Sequence, residues 1–90
     1  QCATCHAGDA FADGKRHDVV AHTGDDAVDI AGGSDTPSLI GVRARAPFLH
    51  DGSEQTLADR IADNAGDVHG KTSQLSSTDR KALVAFLESL

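Results

Sequence analysis

Both cysteines of this 90-residue chain stand within its first five residues, and a histidine follows directly. The motif is Cys2-Ala3-Thr4-Cys5-His6. On a helical turn the side chains of residues i and i+3 share a face, so both thiols leave the backbone on one side with the imidazole beside them. This spacing predicts that the chain is organised around a group bound at its beginning.

Three kinds of site use such a motif. A zinc site needs two further ligands, and the chain offers no third cysteine and one passable histidine pair, His17 with His22. A thioredoxin-like redox pair needs a preceding strand in a much longer chain. Covalent haem needs nothing more, because the thiols add to two porphyrin vinyl groups and the histidine binds iron. We interpret Cys2 and Cys5 as haem-attachment residues and His6 as an axial ligand, with zinc, a redox pair and an accidental match as the alternatives.

The chain is poor in large side chains that could fill a core. It has three Phe and no Trp, Tyr or Met. A chain of this length buries a marginal core unless a cofactor or cross-link adds to it. A haem would supply the missing apolar bulk, and the residues expected to line it are Phe11, Leu39, Phe48, Leu49, Ile61, Leu75 and Phe86.

The charge pattern restricts the possible partners. The formal charge of −6 comes mainly from dispersed Asp residues, which argues against nucleic acid and anionic membranes and favours a basic partner surface. No apolar stretch approaches the roughly 18 residues of a membrane span, and no signal peptide is visible. Because the chain starts at Gln1, we expect a domain excised or processed from a larger secreted protein.

Secondary-structure signals concentrate in the second half of the chain. Residues 7–53 are rich in Gly and Asp, which predicts long loops, with 23–36 the most loop-like part. A capping box at 56–59 predicts a short helix stopped by Gly66. A second box at 76–79 predicts a C-terminal helix over 77–89, whose apolar face is formed by Leu83, Phe86, Leu87 and Leu90. No domain boundary is evident, so residues 1–90 are expected to form one domain.

Taken together, the motifs resemble a class I c-type cytochrome. They are most similar to the C-terminal haem domain of the bacterial di-haem cytochrome c peroxidase and MauG-like family. The segments C-H-A-G-D-A-F-A-D-G-K-R-H, T-P-S-L-I-G-V-R-A-R-A-P-F-L-H-D-G-S and L-V-A-F-L-E-S-L carry this likeness over nearly the whole chain. The resemblance implies an all-α, small cytochrome c-like fold, in which a few short helices and long loops wrap one covalent haem. It also implies a bacterial periplasmic or extracellular setting.

Three departures from that family bear on function. Its peroxidases carry two haems, whereas this chain has one attachment motif. Ile40 stands where the family has an Arg, and the helix that normally precedes the cysteines is missing. The single attachment motif argues against peroxidase chemistry. Any role of the family's Arg must pass to Arg43 or Arg45 or be absent. The missing helix implies either that it was trimmed away or that the apolar face of the last helix is covered differently.

The second axial ligand cannot be the usual Met of both families, because the chain has none. His69 is the predicted ligand, since it lies in the loop before the C-terminal helix where class I cytochromes place their Met. His50 is the next candidate, although its family counterpart suits a hydrogen bond that fixes a turn. Lys71 is a weaker candidate, and His17 and His22 are expected to be solvated loop residues.

Further contacts follow from the resemblance and from donor chemistry. The carbonyl of Pro37 is expected to accept the ring N–H of His6, because a metal-bound imidazole needs its other nitrogen held. Arg43 and Arg45 are expected to pair with the haem propionates. The remaining residues predicted to contact the haem are Phe11, Leu39, Phe48 and His50.

The expected function is electron transfer by a single bis-histidine haem c, with no catalytic residues and no enzyme activity of its own. The partner would be a redox protein or a fused enzyme domain with a basic docking surface, and neither nucleic acid nor membrane insertion is expected. The alternative is a peroxidase-like or gas-binding haem domain with an open distal site, where His50 would be the distal acid–base group.

Overall fold

Helical structure is concentrated in the last third of the chain. The computed structural model describes residues 1–19, 32–49 and 51–90. In these residues α1 spans Leu57–Ala62 and α2 spans Ser77–Ser89. Single 3₁₀ turns occupy Cys2–Thr4, Val42–Ala44 and Ala65–Asp67. Most of the remaining described chain is loop.

Both α-helices begin at the capping residues that the sequence predicts. The hydroxyl of Thr56 accepts the backbone N–H of Asp59 at 3.0 Å, and the hydroxyl of Ser76 accepts that of Asp79 at 3.1 Å. Each hydroxyl satisfies a backbone donor that the first helical turn leaves free. The predicted bounds of α2 are confirmed by the structure.

The first helix is shorter than the sequence predicts. It ends at Ala62, and Asp63 leaves the helical conformation with φ −92° and ψ 87°. The guanidinium of Arg60 donates to the carbonyl of Asp63, which takes the place of a continuing helical hydrogen bond. The predicted stop, Gly66, lies instead within the following 3₁₀ turn, with a φ of 70°.

A small sheet lies within the region predicted to be loops. Strand β1, Arg16–His17, pairs antiparallel with β2, Ser34–Asp35. A Cβ on Gly33 would lie 2.5 Å from the carbonyl oxygen of His17, so this close pairing requires glycine at that position. The described residues thus form two helices, this small sheet and mostly loops, which agrees with the predicted loop-rich fold but is not clearly all-α. Within the predicted loop 23–36, residues 34 and 35 form a strand. Residues 20–31 lie outside the described part.

The core lies between α2, α1 and the 3₁₀ turn Val42–Ala44. Its buried apolar side chains in the described residues are Val42, Leu57 and Leu87. The half-buried side chains packed on them are Leu39, Phe48, Ile61, Leu83, Val84 and Leu90. The carbonyl of Leu90 accepts the N–H of Gly41 at 3.0 Å, which ties the end of α2 to this turn.

The polypeptide covers its larger apolar side chains incompletely. In the described residues no large side chain is fully buried, and Phe86 is 49% exposed. The described polypeptide therefore does not cover Phe86, and its predicted place against the haem stays a prediction. Leu83, Leu87 and Leu90 do form the predicted apolar face.

Candidate haem-binding site

The structure brings the imidazoles of His6 and His69 together across 63 positions of sequence. Their ring centroids are 6.2 Å apart, and the ring planes are inclined by 25°. Two metal–imidazole bonds of about 2 Å each, added to the radii of two imidazole rings, give a centroid separation of about 6 Å. The spacing therefore suits a single metal ion held between these two histidines.

The His6 ring is fixed by its own N-terminal segment. The backbone N–H of His6 donates to the carbonyl of Cys2 at 3.0 Å, which closes the turn of the C-x-x-C-H motif. Nδ1 of His6 lies 3.1 Å from the carbonyl of Phe11 and, because a carbonyl only accepts, Nδ1 carries the proton. Nε2 is then the ring nitrogen left to bind a metal. The sequence predicted this role for the carbonyl of Pro37, and the structure gives it to Phe11 because the chain folds back over its first turn.

His69 is held in its metal-binding form by its surroundings. Its side chain is largely buried, and burial, with smaller contributions from the charges of Arg60 and His6, lowers its pKa from 6.5 to about 4. The ring is therefore neutral at neutral pH. Its Nδ1 is buried without a hydrogen-bond partner in the described part of the chain. A buried ring nitrogen without a partner is compatible with a bound group beside it.

Asn64 fixes the loop that carries His69. Its Oδ1 accepts the backbone N–H of His69 at 3.0 Å, while its Nδ2 donates to the carbonyl of Gly70 at 2.7 Å. The same Nδ2 lies 3.0 Å from the hydroxyl of Thr72, which is buried. One amide thus binds the loop on both sides of the ligand. Asn64 is not among the residues predicted from the sequence, where its one signal is an amide five residues before the predicted ligand.

One of the two thiols lies close to the loop of His69. Cys2 is exposed, Cys5 is half-buried, and neither forms a disulfide. A Cβ on Gly70 would lie 3.7 Å from Sγ of Cys2, so the C-x-x-C-H motif approaches the loop of His69 directly. The motif thus brings the Cys2 thiol, as well as His6, to the neighbourhood of His69.

Apolar side chains near the two histidines remain uncovered. Phe11, whose carbonyl binds His6, contacts Phe86 edge to face with ring centroids 6.1 Å apart. Val68, adjacent to His69, is 43% exposed. Exposed apolar side chains beside neutral imidazoles suit a large apolar ring system. The donor set and its surroundings therefore fit a haem.

The other predicted contact residues take varied positions. Leu39 and Phe48 pack on the protein core, and Pro37 is exposed. Arg43 and Arg45 are exposed, and the guanidinium of Arg45 donates to the carbonyl of Ser38 at 3.0 Å. Their pairing with propionates stays a prediction. His22 and His50 lie outside the described residues.

A second group of metal-binding side chains surrounds Cys5. Sγ of Cys5, a carboxylate oxygen of Asp13 and a ring nitrogen of His17 all lie within 4.8 Å of one another. His17 Nε2 is 2.8 Å from the Asp13 carboxylate, and this bond, with one from the Lys15 N–H, lowers the pKa of Asp13 to about 2. His17 is half-buried in β1, so its expected place in a solvated loop is wrong. The i, i+4 spacing of an acid and a histidine was the available signal.

Two curated proteins match part of this chain. The gamma subunit of hydrazine synthase from Kuenenia stuttgartiensis is 40% identical over 58 residues, which is 62% of this chain and 16% of that protein. Cytochrome-c peroxidase IdrP2 from Denitromonas iodatirespirans is 42% identical over 60 residues, which is 61% of this chain and 16% of that protein. The chain therefore spans about a sixth of the length of these relatives.

No family model matches the chain. No solved structure matches it significantly. The two partial similarities support a c-type haem protein in general terms.

Proposed function

We propose that this chain is an electron-transfer c-type cytochrome domain that carries one haem, bonded through Cys2 and Cys5 and held axially by His6 and His69. The single observation that carries the proposal is the 6.2 Å separation of the imidazole centroids of His6, in the C-x-x-C-H motif, and His69. The partial similarity to two c-type haem proteins supports the same cofactor.

Bound haem supplies one-electron chemistry, by changing its iron between the ferric and ferrous states. The chain contributes two fixed imidazole ligands: Phe11 orients the ring of His6, and Asn64 holds the loop of His69. Imidazole is a stronger donor to ferric iron than the thioether of Met, so this pair favours a low reduction potential. Ligands fixed in this way allow electron transfer with little rearrangement.

The alternative is a peroxidase-like or gas-binding domain with an open distal site. Partial similarity to a protein named cytochrome-c peroxidase favours it, and His50 would then be the distal acid–base residue. The proximity of His69 to His6 favours an occupied distal site. The preferred proposal therefore gives this domain no catalytic step of its own.

The proposed partner is a redox protein, or an enzyme domain in the same polypeptide, with a basic docking surface. The formal charge of −6 would speed its approach and make association weaken as salt is added. The proposed location is the bacterial periplasm or the extracellular space, as the resemblance to c-type cytochromes implies. Among the described residues, neither α1 nor α2 combines the length and the apolar character that a membrane span requires.

Covalent attachment is tested by producing the chain in a host that matures c-type cytochromes and measuring its denatured mass. We expect the mass of the polypeptide plus one haem. Cys2→Ala should leave a single thioether bond, and Cys2→Ala combined with Cys5→Ala should leave no covalent haem. Thr4→Ala, inside the motif, is the matched control and should retain the full mass. The mass of the bare polypeptide in the unaltered chain would exclude the proposal.

A further inference from the structure

Asp13 and His17 have no part in the proposed haem site, yet they lie beside one of its thiols. Their oxygen and nitrogen atoms form a group with Sγ of Cys5 in which the three ligand atoms lie within 4.8 Å of one another. All three side chains are half-buried. We propose that Cys5, Asp13 and His17 bind one divalent transition-metal ion of the zinc type while Cys5 is a free thiol.

The donor set selects the class of ion. A thiolate, an imidazole and a carboxylate are the ligands of Zn²⁺ and Co²⁺, whereas Ca²⁺ and Mg²⁺ prefer oxygen atoms alone. Three protein ligands with water in the fourth position make a complete tetrahedral site. On binding, the Cys5 thiol releases its proton to solvent and forms a metal–sulfur bond, without oxidation or reduction.

Each ligand is positioned by a separate local structure. The N–H of Cys5 donates to the carbonyl of Cys2 at 3.3 Å, within the first turn. Oδ1 of Asp13 accepts the N–H of Lys15 at 3.0 Å, which leaves Oδ2 directed to His17. These bonds fix the backbone at Cys5 and the orientation of the Asp13 carboxylate before any ion arrives.

The third ligand is carried by the sheet. His17 belongs to β1, and the neighbouring Arg16 donates from Nε and Nη2 to the carbonyl of Gly33 at 2.9 and 2.6 Å. This double contact fixes β1 against β2. Little ordering of the backbone is therefore needed when the ion binds, which favours affinity.

The metal ion and the haem would exclude each other, and this part of the inference rests on the proposed function. A thioether at Cys5 has no proton to lose and carries no charge, so it is a poor ligand for Zn²⁺. The zinc-type site would therefore exist in the chain before haem attachment and be lost afterwards. An ion bound there would occupy the thiol that haem attachment requires.

The site is tested with Co²⁺ and the full chain produced without haem and kept reduced. We expect one Co²⁺ per chain, with a thiolate-to-cobalt charge-transfer band that Zn²⁺ abolishes by displacement. Cys5→Ser and His17→Ala should each weaken binding by at least about tenfold, since even residues that only orient metal ligands change affinity by that much. The matched controls Cys2→Ser, His6→Ala and Asp9→Asn should keep the band.

Circular dichroism recorded in the same titrations separates loss of a ligand from loss of folding. The proposal is overturned if no thiolate band forms, or if Cys2→Ser and His6→Ala abolish it as fully as Cys5→Ser and His17→Ala do. In the haem-loaded chain the band should be absent. If it persists there and depends on Cys5, the metal site stands and the proposed attachment of haem to Cys5 fails.

Discussion

The imidazole rings of His6 and His69 lie with centroids 6.2 Å apart and planes inclined by 25°, although the residues are far apart in sequence. If both bind one haem iron, His69→Ala should open a coordination position. We expect the haem-loaded variant to become high-spin or to exchange ligands, and to bind cyanide and carbon monoxide. Absorption spectra of the ferric and ferrous forms measure this change.

Two other histidine variants serve as controls for that experiment. His17→Ala and His50→Ala should leave the spectrum nearly unchanged. If His50→Ala gives high-spin iron while His69→Ala stays low-spin, the distal ligand is His50 and the assignment of His69 is wrong.

Asn64→Ala should loosen the loop of His69, because one side chain bonds to the backbone at both His69 and Gly70. Loss of these bonds should lower the free energy of unfolding by about 1–3 kcal/mol. It should also speed cyanide binding to the ferric haem, which a loss of stability elsewhere would not do. The exposed Gln74→Ala is the control, and equal cyanide rates in the two variants would contradict the role of Asn64.

Because His69 is partly buried, the stability of the haem-free chain should depend on pH. In the folded chain the pKa of His69 is lowered to about 4 from 6.5. Between pH 4 and pH 6.5 the unfolded chain therefore binds more protons than the folded chain. The contribution of His69 to the free energy of unfolding should therefore be fully present above about pH 6.5 and be lost as the pH decreases towards 4. The loss should be on the order of 1–2 kcal/mol after allowance for the partial exposure of the ring. Urea unfolding at several pH values measures this loss. His69→Gln should flatten the profile in that range, and an unchanged slope would count against a neutral buried ring.

Ser76→Ala should destabilise α2, because the hydroxyl of Ser76 accepts the N–H of Asp79 at 3.1 Å. The typical cost of losing such a cap is about 1 kcal/mol in the free energy of unfolding. Ser77→Ala, one residue further on and already inside the helix, is the matched control. Denaturant unfolding of the haem-loaded chain compares the two, and a larger loss at Ser77 would refute the cap.

The sequence was sufficient to predict those elements whose structure depends on interactions between residues close together in the chain. Capping hydroxyls and apolar spacing determine where α2 begins and which side chains it buries, so Leu87 and the bounds Ser77–Ser89 were predictable. To predict that His6 and His69 lie together, the resemblance to c-type cytochromes was needed as well. Local sequence patterns do not indicate which residues that are far apart in the chain come into contact. The structure places the two ring centroids 6.2 Å apart, and their binding of one iron stays a prediction.

The remaining contacts depend on how loops close, which local patterns do not encode. The β1–β2 pair forms because Gly33 lets two loop segments approach closely. The sequence there has no alternation of apolar and polar residues that would predict strands. The partner of the His6 ring proved to be the carbonyl of Phe11, a backbone atom available in any residue. The sequence signals of Asn64 and of the Asp13 and His17 pair are likewise too weak to predict their contacts, which depend on how the loops fold.

The most direct measurement is the absorption spectrum of the purified, haem-loaded chain in both oxidation states, before and after addition of cyanide and carbon monoxide. Iron held by His6 and His69 predicts low-spin spectra in both states, without the far-red band of Met ligation and unchanged by either ligand. High-spin iron that binds cyanide and carbon monoxide readily would contradict the two-histidine site and favour an open distal position.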